Sequence, residues 1–201
     1  MSFRSRGSSV VTRTLSPQVY LRVAIAALVG LVVIVPSGGL VRLTGSGLGC
    51  PDWPTCQDGD ILPATAGHAL IEYSNRVLSF LIVLVVLGSA FLAHRLPNAP
   101  RALRRWSLFA AVATLAQGPL GGLTVLFDLN PVLVSSHFLL SIVALGGGVV
   151  VVITARDHRR GTLRVTDRRA ARVAGVMLVL LAAVIVTGVL VTSSGPHSGD
   201  P

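Results

Sequence analysis

No lysine occurs among the 201 residues, and charged residues of every kind make up only 12%. So little charge, beside 52% hydrophobic residues and a mean hydropathy of +0.74, excludes a soluble globular domain and points to an integral membrane protein. The chain is poor in cysteine as well, with two in all, and no histidine lies in the loop that carries them. That argues against a metal site there. No small-residue cleavage site follows the first apolar run, which continues instead into Gly38-Gly39-Leu-Val-Arg42. The run is also too long for the core of a signal peptide, so it is expected to remain as a helix.

Five runs are long enough to cross about 30 Å of hydrocarbon, at about 19–41, 67–93, 107–127, 132–155 and 173–193. The expected fold is therefore all-α: a four-helix transmembrane bundle over 19–155 plus a fifth transmembrane helix at 173–193. All 17 basic residues are arginine, and they are unevenly placed. Arg4, Arg6, Arg13 and Arg22 stand at the start, Arg95, Arg101, Arg104 and Arg105 between the second and third spans, and seven more from Arg156 to Arg172. The positive-inside rule then makes the N-terminal tail 1–18 and the Arg-rich loop 156–172 cytoplasmic, and the loop 42–66 and the tail 194–201 external. A formal charge of +9 held in short loops is topological, so nucleic acid is not an expected partner.

The external loop 42–66 holds Cys50-Pro-Asp-Trp-Pro-Thr-Cys56. Outside the cytoplasm, two cysteines this close with Pro51 and Pro54 between them suit a disulfide, with a redox-active thiol pair or a metal site as alternatives. Trp53 is expected at the membrane interface. The glycines of Gly38-Gly39-Leu-Val-Arg42-Leu-Thr44-Gly45-Ser46-Gly47-Leu-Gly49 would let a backbone approach a neighbouring helix or a large flat ligand. Thr187-Gly-Val-Leu-Val-Thr192-Ser-Ser194-Gly195 aligns without gaps to 39–47, so the fifth span reads as a second copy of the first. A chain that ends one helix into a second copy is expected to be part of a longer unit.

Polar residues inside the spans carry the functional signal. His68, Glu72, Asn75 and Arg76 share one face of the second helix at about 100° per residue, and ionisable groups at membrane depth mark functional sites by default. Glu72 and Arg76, four apart, could equally form an ion pair that makes both tolerable in lipid. His137 sits five residues inside the fourth span, roughly 7 to 8 Å below the external surface and level with His68 and Glu72. Two helices presenting such groups at one depth can hold a heme iron, whereas a lone membrane histidine more often bonds a neighbouring helix. His94 and His158 belong to the arginine-rich loops, and His197 to the external tail.

Gly39-Leu-Val-Arg-Leu-Thr-Gly-Ser-Gly-Leu-Gly-Cys50-Pro-Asp-Trp-Pro-Thr-Cys56, Ile71-Glu72-x-x-Asn75-Arg76, and Gln117-Gly-x-Leu-Gly-Gly-Leu-Thr124 with His137 together resemble the heme A synthase family. The resemblance runs from about residue 20 to the end. It implies an oxidoreductase of eight helices in two halves, one handling the substrate heme O and the other holding heme b, which here would lie in the missing second half. The family's reaction oxidises the C8 methyl of heme O to the formyl of heme A for cytochrome c oxidase. Carried over by position, Glu72 matches the catalytic glutamate, Arg76 the arginine of its motif, His137 the heme-ligand histidine, and Cys50 with Cys56 the external pair.

Many members have a histidine ligand where this chain has Asn75. The iron would then be bound by His137 alone or by His137 with His68, and His68, about 10 Å along the axis from Asn75, is expected to line the site. Arg42 could pair with a heme propionate or snorkel to the interface. The implied setting is a bacterial-type cell membrane with its lipid, heme O, heme O synthase, cytochrome c oxidase assembly and a quinone or other electron acceptor, with homo-oligomerisation left open. The alternative is a non-catalytic heme-binding subunit for electron transfer or assembly, and beyond it a component whose polar face only joins helices.

Overall fold

The computed structural model describes residues 15–63, 67–161 and 167–194. Most of the expected N-terminal tail, the middle of the Arg-rich loop and the tail with His197 lie outside the described residues. Those described form five helices, α1 (Pro17–Leu43), α2 (His68–Arg95), α3 (Arg101–Leu126), α4 (Pro131–Arg160) and α5 (Arg168–Ser194), and no strand longer than the isolated bridge between Gln57 and Asp60. All five are long and apolar enough to cross a membrane, which makes this an all-α polytopic membrane protein.

Local chemistry marks several helix ends. Ser16 accepts a hydrogen bond from the Val19 N–H ahead of Pro17, and Asn130 accepts one from the Val132 N–H ahead of Pro131. In both, a side-chain cap and a proline at the first position start the helix. Gly161, at φ 65°, ends α4 in the left-handed conformation that glycine adopts without strain. Helices α3, α4 and α5 each run five or more residues beyond the expected span on their arginine-bearing side. Hydropathy stops at the first charge, but arginine is a good helix former and the turns continue into the interface.

Within the four-helix bundle each helix packs on two of the others: α1 on α2 and α4, and α3 on α2 and α4. Helices α2 and α4 thus stand at opposite corners of the bundle. The core lies toward the end where the arginines cluster and gathers Tyr20 and Leu21 of α1, Ala93 and Leu96 at the end of α2, Leu103 of α3, and Val151, Val152 and Ala155 of α4. Across that end the Arg159 guanidinium donates to Gln18 Oε1 at 2.7 Å, so the start of α1 and the end of α4 share a side. Helix α5 packs its backbone on α4 and is reached from α1 by the Arg42 side chain, with none of its residues buried.

Candidate functional site

At the other end, the segment 44–63 folds back over the bundle and is tied to α2. Cys50 and Cys56 are joined by a disulfide, and the described residues contain no free cysteine. Joined in this way, the two sulfurs offer no thiolate to a metal in this loop. Gly49 lies on the first turn of α2, where an added Cβ would come within 2.6 Å of the main chain of His68 and Ala69. That approach brings the Cys50 N–H to 2.8 Å from Glu72 Oε2 in a buried hydrogen bond.

Arg76 completes the clasp. Its Nε and Nη2 donate to Glu72 Oε1, Nη2 also donates to the Cys50 carbonyl at 2.7 Å, and Nη1 donates to the carbonyls of Asp52 and Thr55 at 2.9 and 2.8 Å. A guanidinium has five N–H donors, and all five are used here. The Glu72–Arg76 ion pair foreseen at i, i+4 is present, and it also carries the loop. Glu72 is only 4% exposed, so its charge is held by the Arg76 guanidinium and by the main chain of the loop at Gly49 and Cys50.

The indole of Trp53 reaches down from the loop onto α3. At Gly122 an added Cβ would lie 2.5 Å from Trp53 Cδ2, so only glycine lets the ring settle there. Below it, His137 of α4 has Cε1 against Gly121 and Nδ1 beside the carboxamide of Gln117. With its nitrogen toward His137, Gln117 donates to Nδ1 at 2.9 Å and its oxygen accepts from Ser141 N–H and Oγ at 2.6 and 3.0 Å. With the amide reversed, the nitrogen donates to Ser141 Oγ at 3.0 Å and the oxygen faces Nδ1. In that second orientation the ring can carry its proton on Nδ1, which frees the Nε2 lone pair for a metal. On α2, Asn75 Oδ1 accepts a hydrogen bond from Ser37 Oγ at 2.8 Å.

These groups border one cavity of about 710 Å³, enclosed by α1, α2, α3, α4 and the loop. Glu72, Asn75 and Arg76 stand on its α2 wall and His137 on its α4 wall, with Gln117, Ser141 and Trp53 between them. The rest is mostly apolar. The wall extends to Phe80 and Leu84 of α2 and Leu115 of α3, each at least half exposed, so the cavity opens sideways between these two helices.

Two of the expected site residues are elsewhere. His68 does not border the cavity; its Nδ1 is hydrogen-bonded to Ser46 Oγ at 2.9 Å, and the side chain is largely exposed. It opens α2, where the loop, through Thr44 and Ser46, draws the ring away from the bundle interior. Arg42 is exposed and donates to the Thr192 carbonyl of α5 at 3.4 Å. Neither His68 nor Arg42 is among the side chains that border the cavity in this structure, although Val41, next to Arg42, is. Conversely, Ser37 and Gln117 were not singled out as site residues. Gln117 carried a signal, a carboxamide inside an apolar span, whereas Ser37 is too common a residue type in helices to stand out.

Residues 20–70 and 62–195 match the COX15-CtaA family, described as cytochrome oxidase assembly protein. The chain is similar to the heme A synthase of Alkalihalophilus pseudofirmus, at 32% identity over 138 residues, which is 67% of this chain and 46% of that protein. With the heme A synthase of Shewanella oneidensis it is 35% identical over 130 residues, covering 56% of this chain and 38% of that one. With that of an Exiguobacterium species it shares 27% over 173 residues, 83% of this chain and 55% of that protein. The chain thus spans about half the length of the curated relatives it matches. No solved structure matches it. The matched segments take in the clasp, the cavity and all five helices, and the chain belongs to the COX15-CtaA family of cytochrome oxidase assembly proteins.

Proposed function

We propose that this protein acts in heme A biosynthesis, binding heme O in the cavity beneath the disulfide loop and oxidising its C8 methyl to the formyl of heme A. The observation that carries the reading is that a buried carboxylate and a histidine on opposite corners of the bundle border the same mostly apolar space. Its volume of about 710 Å³ lies within the roughly 300–1,000 Å³ of small-molecule and cofactor sites. The residues present fit a porphyrin: with the Gln117 nitrogen on Ser141 and its oxygen accepting from Nδ1–H, His137 can offer Nε2 to iron, and the apolar walls suit the macrocycle. A porphyrin brings four nitrogens of its own, so the lack of any cluster of three His, Cys, Asp or Glu among the described residues does not count against it.

In this reading heme O is the substrate, and oxidation of its methyl builds positive charge beside the ring, with water supplying the oxygen. Glu72 stabilises that charge and accepts protons from a fixed position in a low-dielectric site. Arg76 and the Cys50 N–H keep the carboxylate oriented, so no reorganisation is needed as charge develops. The opening between α2 and α3 admits an apolar substrate from lipid. The same reading carries a bacterial-type cell membrane, a cytoplasmic N-terminus, supply from heme O synthase, delivery toward cytochrome c oxidase and a quinone or other electron acceptor.

One observation favours the second reading, a non-catalytic heme-binding subunit: both oxygens of Glu72 are already engaged by the clasp. Pigment extraction separates the two. Membranes carrying the wild-type chain and supplied with heme O should yield heme A, and Glu72→Gln should retain bound heme O unconverted. Normal heme A from Glu72→Gln rejects the carboxylate's role, and heme O recovered unchanged from the wild type favours the non-catalytic subunit.

A further inference from the structure

The cavity offers iron a single strong protein ligand. Of the side chains that border it, His137 alone carries an imidazole, whose ring nitrogen has a lone pair in the ring plane to give to iron, and none is cysteine, methionine, lysine or tyrosine. Glu72 stands on the wall but has both oxygens engaged by Cys50 and Arg76. His68 faces Ser46 outside the cavity. On α2, the corner diagonal to His137, Asn75 presents a carboxamide, whose nitrogen lone pair is delocalised and a poor iron ligand. Its oxygen is occupied by the Ser37 hydroxyl at 2.8 Å. That contact takes one lone pair of the oxygen, while the NH2, which donates to no other group among the described residues, keeps both N–H bonds for the cavity that Asn75 borders.

We propose that heme in this cavity is held by His137 as its only protein ligand, with the sixth iron position open toward α2. Asn75, oriented by Ser37, donates a hydrogen bond to the water or small anion that occupies that position. The proposal rests on the heme-site reading above and deepens it. The polarity and donors on the side of a heme opposite its histidine decide which small ligands bind there. In this chain Asn75 is such a donor, and Ser37 is its positioning residue.

The test uses the full chain in detergent micelles, titrated with ferric protoheme and followed by absorption and electron paramagnetic resonance. The wild type should take up one heme in a high-spin ferric state, bind fluoride, and bind carbon monoxide when reduced. His137→Ala should lose the heme, whereas His68→Ala should give the wild-type spectrum. Asn75→His should convert the heme to a low-spin, six-coordinate form that no longer takes carbon monoxide readily. Asn75→Leu should keep the high-spin heme and carbon monoxide binding but bind fluoride about tenfold more weakly, the loss expected for one hydrogen bond to a charged ligand. Ser37→Ala should shift fluoride binding in the same direction by less.

A low-spin wild type that refuses carbon monoxide would reveal a second protein ligand and overturn the proposal. Fluoride affinity unchanged in Asn75→Leu would overturn the part given to Asn75. A wild type that takes up no heme in any state would overturn the heme-site reading itself, a result distinct from either of these.

Discussion

At the arginine-bearing end of the bundle Tyr20, Leu96 and Leu103 are at most 1% exposed and four helices close on one another, while at the loop end the same helices border a cavity of about 710 Å³. The closed end is built from small residues. Ala24, Ala93, Ala110 and Ala155 let the backbones come together, and the Tyr20 hydroxyl is buried among them, 2.9 Å from the Ser107 hydroxyl and beside that of Ser89. At the open end, polar side chains gather at membrane depth, and the partners that make them tolerable come largely from loop main chain. Arg76 takes three carbonyls of the loop, and Glu72 takes the amide of Cys50. A bundle that sealed itself at both ends would have no room for a ligand. Here the loop replaces helix packing as the closure, and the polar groups that hold the loop also stand on the cavity wall.

That contrast can be broken most forcefully at Arg76. Arg76→Ala removes the partner of a buried carboxylate and every side-chain tie from α2 to the loop carbonyls, so a loss of about 3–5 kcal/mol is expected, as for breaking a buried ion pair. Thermal unfolding in detergent measures it, and heme uptake should fall with it. A loss below about 1 kcal/mol, the usual worth of an exposed pair, would mean that the clasp does not secure the open end.

Gly122→Ala probes the loop from the other side. An added Cβ meets the Trp53 ring at 2.5 Å, and overpacking of this kind costs about 1–3 kcal/mol. In a Trp106→Phe background the emission of Trp53 should shift as the ring leaves α3. An unshifted spectrum would show that the ring does not rest there. Gly38→Ala, with nothing within 4 Å of the added Cβ, should leave both signals as they are.

The smallest effect is expected at the closed end. Tyr20→Phe removes the hydroxyl that Ser107 and Ser89 share, a loss of about 1 kcal/mol per buried hydrogen bond, and should lower the unfolding temperature without changing heme affinity. A drop in heme affinity with Tyr20→Phe would show that the two ends are coupled and erase the distinction between them.

Much of this architecture was legible along the chain. The five spans could be read because hydrocarbon imposes a length and a composition on anything that crosses it, and the arginines marked one end because charge stays out of lipid. Glu72 and Arg76 could be paired because four residues is about one helical turn. The remaining donors of Arg76 could not be assigned, since they go to carbonyls, which every residue has. The two histidines show the limit most clearly. His68 and His137 are equivalent by depth, yet one is turned to Ser46 and the other faces the cavity beside Gln117. Depth follows from position along a helix; direction depends on what the loop and the neighbouring helices offer each ring.

Periodicity, hydropathy and charge placement were therefore sufficient for the membrane class, the helix count, the arginine end and the face on which Glu72 and Arg76 lie, because each of these is a property of one segment in its solvent. Which histidine faces the cavity, which glycine receives Trp53, and where Arg76 sends its donors depended on four helices and a loop meeting in space. Contacts of that kind are made between segments distant in the chain, and no local pattern records them.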